Sequence, residues 1–507
     1  SVISLLLFIC ALFNHWALFI SFMLTRLRNI GLRKAIGSSN KQLFTILLTE
    51  FLFTIVIAFL LGVCVLEFLR PDVENFTQIY MGNSLMLSMI LLFGIAGIII
   101  SVIAVSYPIW RICKAVTKGE MTGKKPMGKQ YTQKVLIVIQ LIISIFFISV
   151  TFIMYRQLHF MHTKDLGFDY KNVFIINPQT EDMKEFILNV DKISEELSQH
   201  PSISGVLKQT YNFFDVHGGM RTSTHWADKV RERDYDTWIS IIYSDYHFID
   251  FFKIPLKEGR NFTKSFSTET QKVLIEDRLA KMIGNNAIGQ HLIFYKDEYF
   301  EIAGIFENFE DQSLKNETLP KVIKLNNEYD PQFLYIRISG NNIPETLKYV
   351  GNVFKKHGIR DFEATSMESI FNNFSKDEDI LMRFIGFVSV ICLIISIFGI
   401  YSLTLYSMER RRREIAIRKV MGASANNIIR IFLKEYMWLV LIASVIAIPP
   451  AYYIMTNWLQ AYANRISITW WLIAVIIIIV TAIVVITILR QIIKAANSNP
   501  AEVIKYE

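Results

Sequence analysis

Cysteine is scarce in this chain: four among 507 residues, and none between positions 157 and 379. Cys10, Cys64 and Cys392 lie inside apolar runs and Cys113 at the edge of one. That distribution builds neither a disulfide framework nor a metal-ligand spacing. Signatures of catalysis are missing too: no Gly-x-Ser-x-Gly and no His-Glu-x-x-His occurs. His159 and His162 stand three residues apart but have no third ligand nearby, so they read as the wet side of a helix. One stretch, 119–125, has the look of a phosphate loop. Its spacing is too short, no strand precedes it and neither Ser nor Thr follows Lys124. Charge is the last thing lacking, and only in places. Seven long runs carry almost none: 1–24, 43–68, 85–110, 135–154, 384–406, 428–455 and 470–489. Each is long enough to cross a hydrocarbon core of about 30 Å.

The charge that is present is sorted. Residues 157–379 hold 26 basic and 35 acidic side chains within a chain of net charge +8, so the remainder is strongly positive. That positive charge sits in the short loops 25–42, 110–134 and 408–427, whereas 70–84 and 456–469 have one Arg each. Nucleic acid is a poor explanation for such a distribution. Lys and Arg beside spans mark the cytoplasmic side, and every loop then alternates correctly. Segment 157–379 falls outside the cytoplasm and the C-terminal tail inside.

A repeat organises the spans. Shifting the chain by 385 positions aligns Arg28 with Arg413, Ile30 with Ile415, and Arg33 and Lys34 with Arg418 and Lys419. The same shift pairs Gly37 with Gly422, Ser39 with Ser424 and Glu50 with Glu435. Each copy reads as span, basic loop, span, short outer loop, span, basic tail. The second copy also has the span 135–154 and a large outer segment before its loop. Because the first copy has neither and seven is an odd number, the expectation is that a further span and outer domain precede Ser1.

Each basic loop reads as a short helix ending at Gly37 or Gly422. In the second copy Ile415, Ile417, Val420 and Met421 are expected on one face, with Arg413, Glu414, Arg418 and Lys419 around the rest. A positive-inside anchor would explain one such loop; two copies of Arg-Lys-x-x-Gly-x-Ser favour a docking part. Glu50 and Glu435 stand about two turns into a span, where a carboxylate is costly. At that depth, snorkelling or pairing with a loop Arg or Lys is expected rather than a proton path.

The run REIAIRKVMGAS followed by IIRIFLKE resembles the FtsX/MacB permease superfamily of ABC systems, as does the tail KAANSNPAEVI at 494–504. The patches DLGFD (165–169), EGRNF (258–262), AIG (287–289) and AGIFENF (303–309) resemble the MacB-type periplasmic domain. The resemblance implies a multi-span α-helical membrane protein with two FtsX-like transmembrane repeats and an α+β extracytoplasmic domain. Its parts would be a first repeat at 1–115, a cytoplasmic linker at 116–133 and the first span of the second repeat at 134–156. The periplasmic domain with its stalk would take 157–379, further spans 380–490 and the cytoplasmic tail 491–507.

It further implies a bacterial inner-membrane permease whose loops dock two copies of a cytoplasmic ABC ATPase. ATP and Mg would bind that partner, and no cofactor would bind this chain. Strand-like runs such as VFIIN, TWISIIY, HLIFY, YFEIAGIF and FLYIRI alternate with helical ones at 182–197 and 343–356, giving an α+β domain of one or two lobes. The run from Tyr155 to Gly167 extends the span 135–154 as a helical stalk. Movement of the outer domain by mechanotransmission, exporting a peptide, lipoprotein or hydrophobic compound, is the leading expectation. A regulator of a cell-wall hydrolase and an antimicrobial-peptide sensor stay open beside it, as do a periplasmic adaptor and an outer-membrane channel as partners.

Overall fold

A computed structural model describes residues 27–77, 82–117, 128–212, 220–228, 233–264, 267–284, 286–294, 298–326, 329–340 and 342–496. Before them it describes Phe8, Ala11, Leu12, His15, Phe19 and Met23, all helical. The span 1–24 and the tail beyond 496 therefore lie largely outside the described residues. Among the described residues six helices are long and apolar enough to cross a membrane.

Two compact units emerge. The first comprises Ser1–Gln157, Glu378–Leu459 and Ile466–Glu507, the second Leu158–Asp377 with Gln460–Arg465. The turn 460–465, which in sequence looks like part of the second transmembrane repeat, thus folds with the second unit. There the Ala463 amide donates to the Lys315 carbonyl at 3.0 Å, and Lys164 Nζ donates to Asn464 Oδ1 at 2.7 Å.

In the membrane unit, α1 (Leu27–Ala35), α2 (Asn40–Thr77) and α3 (Asn83–Thr117) form the first repeat. Helix α4 (Gly128–Thr163) opens the second. The repeat is visible in the packing. Leu43, Leu47 and Phe51 of α2 are buried at i, i+4 and i+8, and 385 positions later so are Ile428, Phe432 and Tyr436.

The second unit begins with the end of α4, which stops at Thr163 rather than running on to Gly167. Gly167 has φ +81°, and a Cβ there would lie 2.4 Å from the Asn308 carbonyl oxygen. Only glycine lets the chain turn that close to a neighbouring backbone. An eleven-stranded mixed sheet follows. It comprises β1 (Val173–Pro178), β2 (Ile203–Gln209), β3 (Met220–Asp228), β4 (Arg233–Ser244), β5 (Leu256–Gly259), β6 (Lys272–Glu276), β7 (His291–Phe294), β8 (Glu298–Phe306), β9 (Lys321–Leu325), β10 (Phe333–Ile338) and β11 (Phe362–Ser366).

The sheet has two lobes. In one, β11-β1-β10-β2 is antiparallel and covered by α5 (Met183–Ser198). That helix buries Phe186, Val190, Ile193 and Leu197 at helical spacing against the strands. In the other, β4-β3-β7-β8-β6-β9 closes on itself through a parallel pairing of β4 with β9. A single residue pair, Gln209 with Ser244, joins the lobes in register, reinforced by a 2.6 Å side-chain bond. The closed lobe buries a charge cluster: Lys321 Nζ lies 3.3 Å from Asp311 and 3.8 Å from Glu276, all three about 1% exposed or less. Burial pushes both carboxyls up from their ordinary range while Lys321 pulls them down.

Three short helices, α6 (Phe248–Phe252), α7 (Asp277–Ile283) and α8 (Ile343–Lys356), complete the sheet's surroundings. Helix α9 (Met367–Phe374) precedes α10 (Lys376–Arg410), which returns the chain to the membrane unit. Within that unit α10 and α4 meet through hydroxyls: Ser144 with Ser396 and Thr151 with Ser389, each at 2.7 Å. Small hydroxyl residues let helix backbones approach closely in lipid and hydrogen-bond across the seam. The fold ends with α11 (Arg412–Val420), α12 (Ala425–Gln460) and α13 (Trp470–Ala496).

Candidate functional site

Helices α1 and α11 are the two basic loops, and their ends are built alike. Gly37 has φ +108° and Gly422 φ +92°. The Gly37 amide donates to the Lys34 carbonyl and the Ser38 amide to that of Arg33, at 3.0 and 3.1 Å. In the other copy Gly422 donates to Lys419 and Ala423 to Arg418, at 3.0 and 2.9 Å. Both are Schellman ends, which need a left-handed residue and therefore select glycine. Each helix is thereby closed after nine residues.

The next helix in each copy starts on a serine two residues further on. The Gln42 amide donates to Ser39 Oγ at 3.2 Å while the Ser39 amide donates to Gln42 Oε1 at 2.8 Å, a reciprocal capping box. In the second copy the Asn427 amide donates to Ser424 Oγ at 3.3 Å. These caps fix the angle at which α1 and α11 leave α2 and α12.

The faces differ from the sequence expectation in one respect. Ile30 and Ile415 are 5% and 4% exposed and belong to the membrane-unit cores, so they do not share a face with the other apolar residues. The reason is angular: two residues turn a helix by about 200°, which puts Ile417 opposite Ile415. The exposed apolar face of α11 and its end is Ile417, Val420 and Met421, at 47%, 68% and 82%. In the first copy Leu32 and Ile36, at 54% and 86%, hold the matching places of Ile417 and Met421. Sequence reasoning placed Met421 on that face but passed over its first-copy counterparts Leu32 and Ile36. Their signal was available in the 385-residue shift.

Charge surrounds that face. Arg33 is exposed, Lys34 donates to the Ser38 carbonyl at 3.1 Å, and Arg418 bridges Glu414 one turn earlier at 2.7 Å. Lys419 is half-buried. The side chains of Arg28 and Arg413 lie outside the described residues. Of the two span carboxylates, Glu435 is clasped by Lys134 at 2.6 Å and Arg411 at 3.0 Å. Glu50 is half-buried at the matching place in α2. Chemically the arrangement is a pair of short cationic helices, each with an exposed apolar stripe.

Comparison with known families agrees with this architecture. A family model described as FtsX-like permease C-terminal matches residues 1–117 and 386–500. Another, described as MacB-like periplasmic core domain, matches residues 135–333. The chain belongs to the FtsX/MacB family of ABC permeases.

Among curated proteins it is similar to the pyoverdine export ATP-binding/permease protein PvdT of Pseudomonas syringae pv. syringae (strain B728a). Identity is 23% over 207 residues, which are 38% of this chain and 31% of that one. The macrolide export ATP-binding/permease protein MacB of Marinobacter nauticus is 38% identical over 85 residues, 17% of this chain and 13% of that one. The matched part thus spans less than a third of the length of these relatives. Among solved structures, the periplasmic region of MacB from Actinobacillus actinomycetemcomitans aligns at 15% identity with a TM-score of 0.30. That alignment covers 42% of this chain and 97% of that one.

Proposed function

We propose that this chain is the permease subunit of an ABC-type export system in a bacterial inner membrane. Its two short helices would dock a separate cytoplasmic ATPase that binds ATP and Mg. Closure of the ATPase pair would push on α1 and α11, and the spans would carry that push to the extracytoplasmic domain. A peptide, lipoprotein or hydrophobic compound outside the membrane is the cargo class this reading favours. The relatives named for pyoverdine and macrolide export support the export direction.

The observation that carries the reading is the duplication of one exposed device. Both helices leave an apolar stripe exposed beside basic residues, and both are held by the same glycine end and serine start. A topology anchor needs only charge; it needs neither an exposed Met421 nor a matched Ile36. In protein interfaces a buried apolar anchor commonly accounts for about 2 kcal/mol, while rim charges set association rate and orientation.

The test is co-purification of the ATPase with charge-reversed permeases, alongside stimulated ATP hydrolysis. Arg418→Glu with Lys419→Glu should weaken recruitment at low salt, and adding Arg33→Glu with Lys34→Glu should weaken it further. Membrane insertion should persist through Arg410, Arg411 and Arg412. Full recruitment by the four-residue variant would reduce the helices to topology anchors.

A further inference from the structure

Glu435 is a carboxylate in a span, and three elements converge on it. It projects from α12 one turn beyond the buried Phe432. Its Oε1 lies 2.6 Å from Lys134 Nζ of α4, and its Oε2 accepts from Arg411 Nη1 at 3.0 Å. Arg411 is the cap residue between α10 and α11. Its guanidinium also lies over the Phe432 ring at 5.4 Å, which fixes its direction. Beside it, the Tyr436 hydroxyl meets Thr404 Oγ1 of α10 at 2.6 Å, so α12 is held to the returning span as well.

The side chains of Glu435, Arg411 and Lys134 are 24%, 19% and 38% exposed. This is more shielded than a surface ion pair, so the pairing resists screening better than surface pairs do. The electrostatics are also cooperative in one direction. Two cations share a single anion, and neutralising that anion would leave Arg411 and Lys134 facing each other as like charges. The clasp therefore either holds all three elements or drives two of them apart.

We infer that Glu435 is a positioning residue, the joint by which a push on α11 reaches α4, the helix that runs on to Thr163 and into the second unit. This rests on the reading that α11 docks the ATPase. Glu435 touches no partner itself; it acts through Arg411 and Lys134. A span carboxylate with only a snorkelling role would meet water and bridge nothing. Here it is bonded to the cap residue of the docking helix on one side and to the long helix on the other.

The test has two arms, both in a full chain with Cys10, Cys64, Cys113 and Cys392 replaced by alanine. In the first, spin labels at Val135→Cys on α4 and Glu414→Cys on α11 report the clasp in the permease alone. The wild-type background should give one narrow distance distribution. Glu435→Gln and, separately, Lys134→Met should broaden it at least twofold, and Glu435→Asp should restore it. An unchanged distribution in Glu435→Gln overturns the joint, whatever the ATPase does.

In the second arm, labels at Lys192→Cys and Asn427→Cys follow the response of the ATPase complex to ATP. Glu435→Gln should keep ATPase co-purification within about twofold yet reduce the ATP-driven distance change at least threefold. Loss of ATPase binding in that variant would overturn transmission, because the clasp would then only shape the docking helix. Should the unsubstituted background fail to bind any ATPase while the first arm succeeds, the docking reading falls, and transmission with it, but the clasp itself stands.

Discussion

The two short helices share their glycine ends and their exposed stripe, while the spans that follow them are capped differently, by a reciprocal box at Ser39 and a single bond at Ser424. In both, glycine closes the helix by the same pair of backbone bonds, and Ile30 or Ile415 plugs the inner side into the bundle. In the second copy Arg411, just ahead of the helix, is gripped by the span carboxylate Glu435, which Lys134 of α4 holds as well. Sameness where a partner would touch is the pattern expected of two sockets for one plug. On the proposed docking, the sockets present one surface because copies of one ATPase would fill both.

The strongest challenge to that comparison is to spoil each stripe in turn. Replacing Ile417 and Met421 by Asp, or Leu32 and Ile36 by Asp, should each weaken ATPase co-purification at least tenfold, since removing one anchor of about 2 kcal/mol exceeds the 1.4 kcal/mol of a tenfold change. The combined variant should recruit none. If one pair of substitutions has no effect, the sockets are not equivalent and a single loop does the docking.

A smaller effect tests the shared ends. Gly37→Ala and Gly422→Ala place a Cβ on a left-handed residue at a cost of about 1–2 kcal/mol. No heavy atom lies within 4 Å of the added carbon at either position, so the cost is conformational in both copies and should be equal. Hydrogen exchange at the Ser38 and Ala423 amides should quicken by roughly 5- to 30-fold. Asn at either glycine should do less harm, because Asn tolerates that conformation. Unequal acceleration would show that the surroundings, and not the backbone, decide the end.

The smallest effect separates the caps. Ser39→Ala breaks a reciprocal box and should cost about 1 kcal/mol, whereas Ser424→Ala removes a single bond and should cost about half of that. Exchange at the Gln42 and Asn427 amides measures both. A larger loss at Ser424 would reverse the ranking of the two copies.

Much of this architecture was readable because it is written locally. Strand runs such as FLYIRI alternate and are bounded by turn residues, and β10 occupies those same six positions. The helix at 343–356 announces itself with Pro344 in its first turn and two lysines in its last. The repeat was readable because identical residues recur at one offset. What escaped was set by distance or by angle. Lys134 lies about three hundred positions before Glu435, and nothing in either neighbourhood names the other. Ile415 was misplaced because a hydrophobic residue among arginines looks like part of the nearest apolar group, although a helix turns it to the far side. The stalk was drawn four residues too long, since Lys164 and Asp165 break no helical pattern; Gly167 and the backbone it presses against do. The turn 460–465 gave no hint that it would fold with a different unit, because its partners Lys164, Leu314 and Lys315 lie about 150 to 300 positions away and two of its bonds use backbone amides that nearly every residue has.

The hydroxyl seam between α4 and α10 also has a bearing on how the protein is made. Its partners, Thr151 and Ser389, are 238 residues apart in the chain. At a synthesis rate of about 5–20 residues per second, α4 would wait on the order of ten to fifty seconds in the bilayer before α10 emerges. During that wait a bare hydroxyl in lipid would be an open liability. Each has an acceptor within reach on its own helix, the Phe147 carbonyl 2.9 Å from Thr151 Oγ1 and the Ile385 carbonyl 3.0 Å from Ser389 Oγ, and whichever hydroxyl donates across the seam gives up that bond. The helices can therefore enter the membrane one at a time with their polar groups parked, and they close on each other only once the intervening domain has been threaded across.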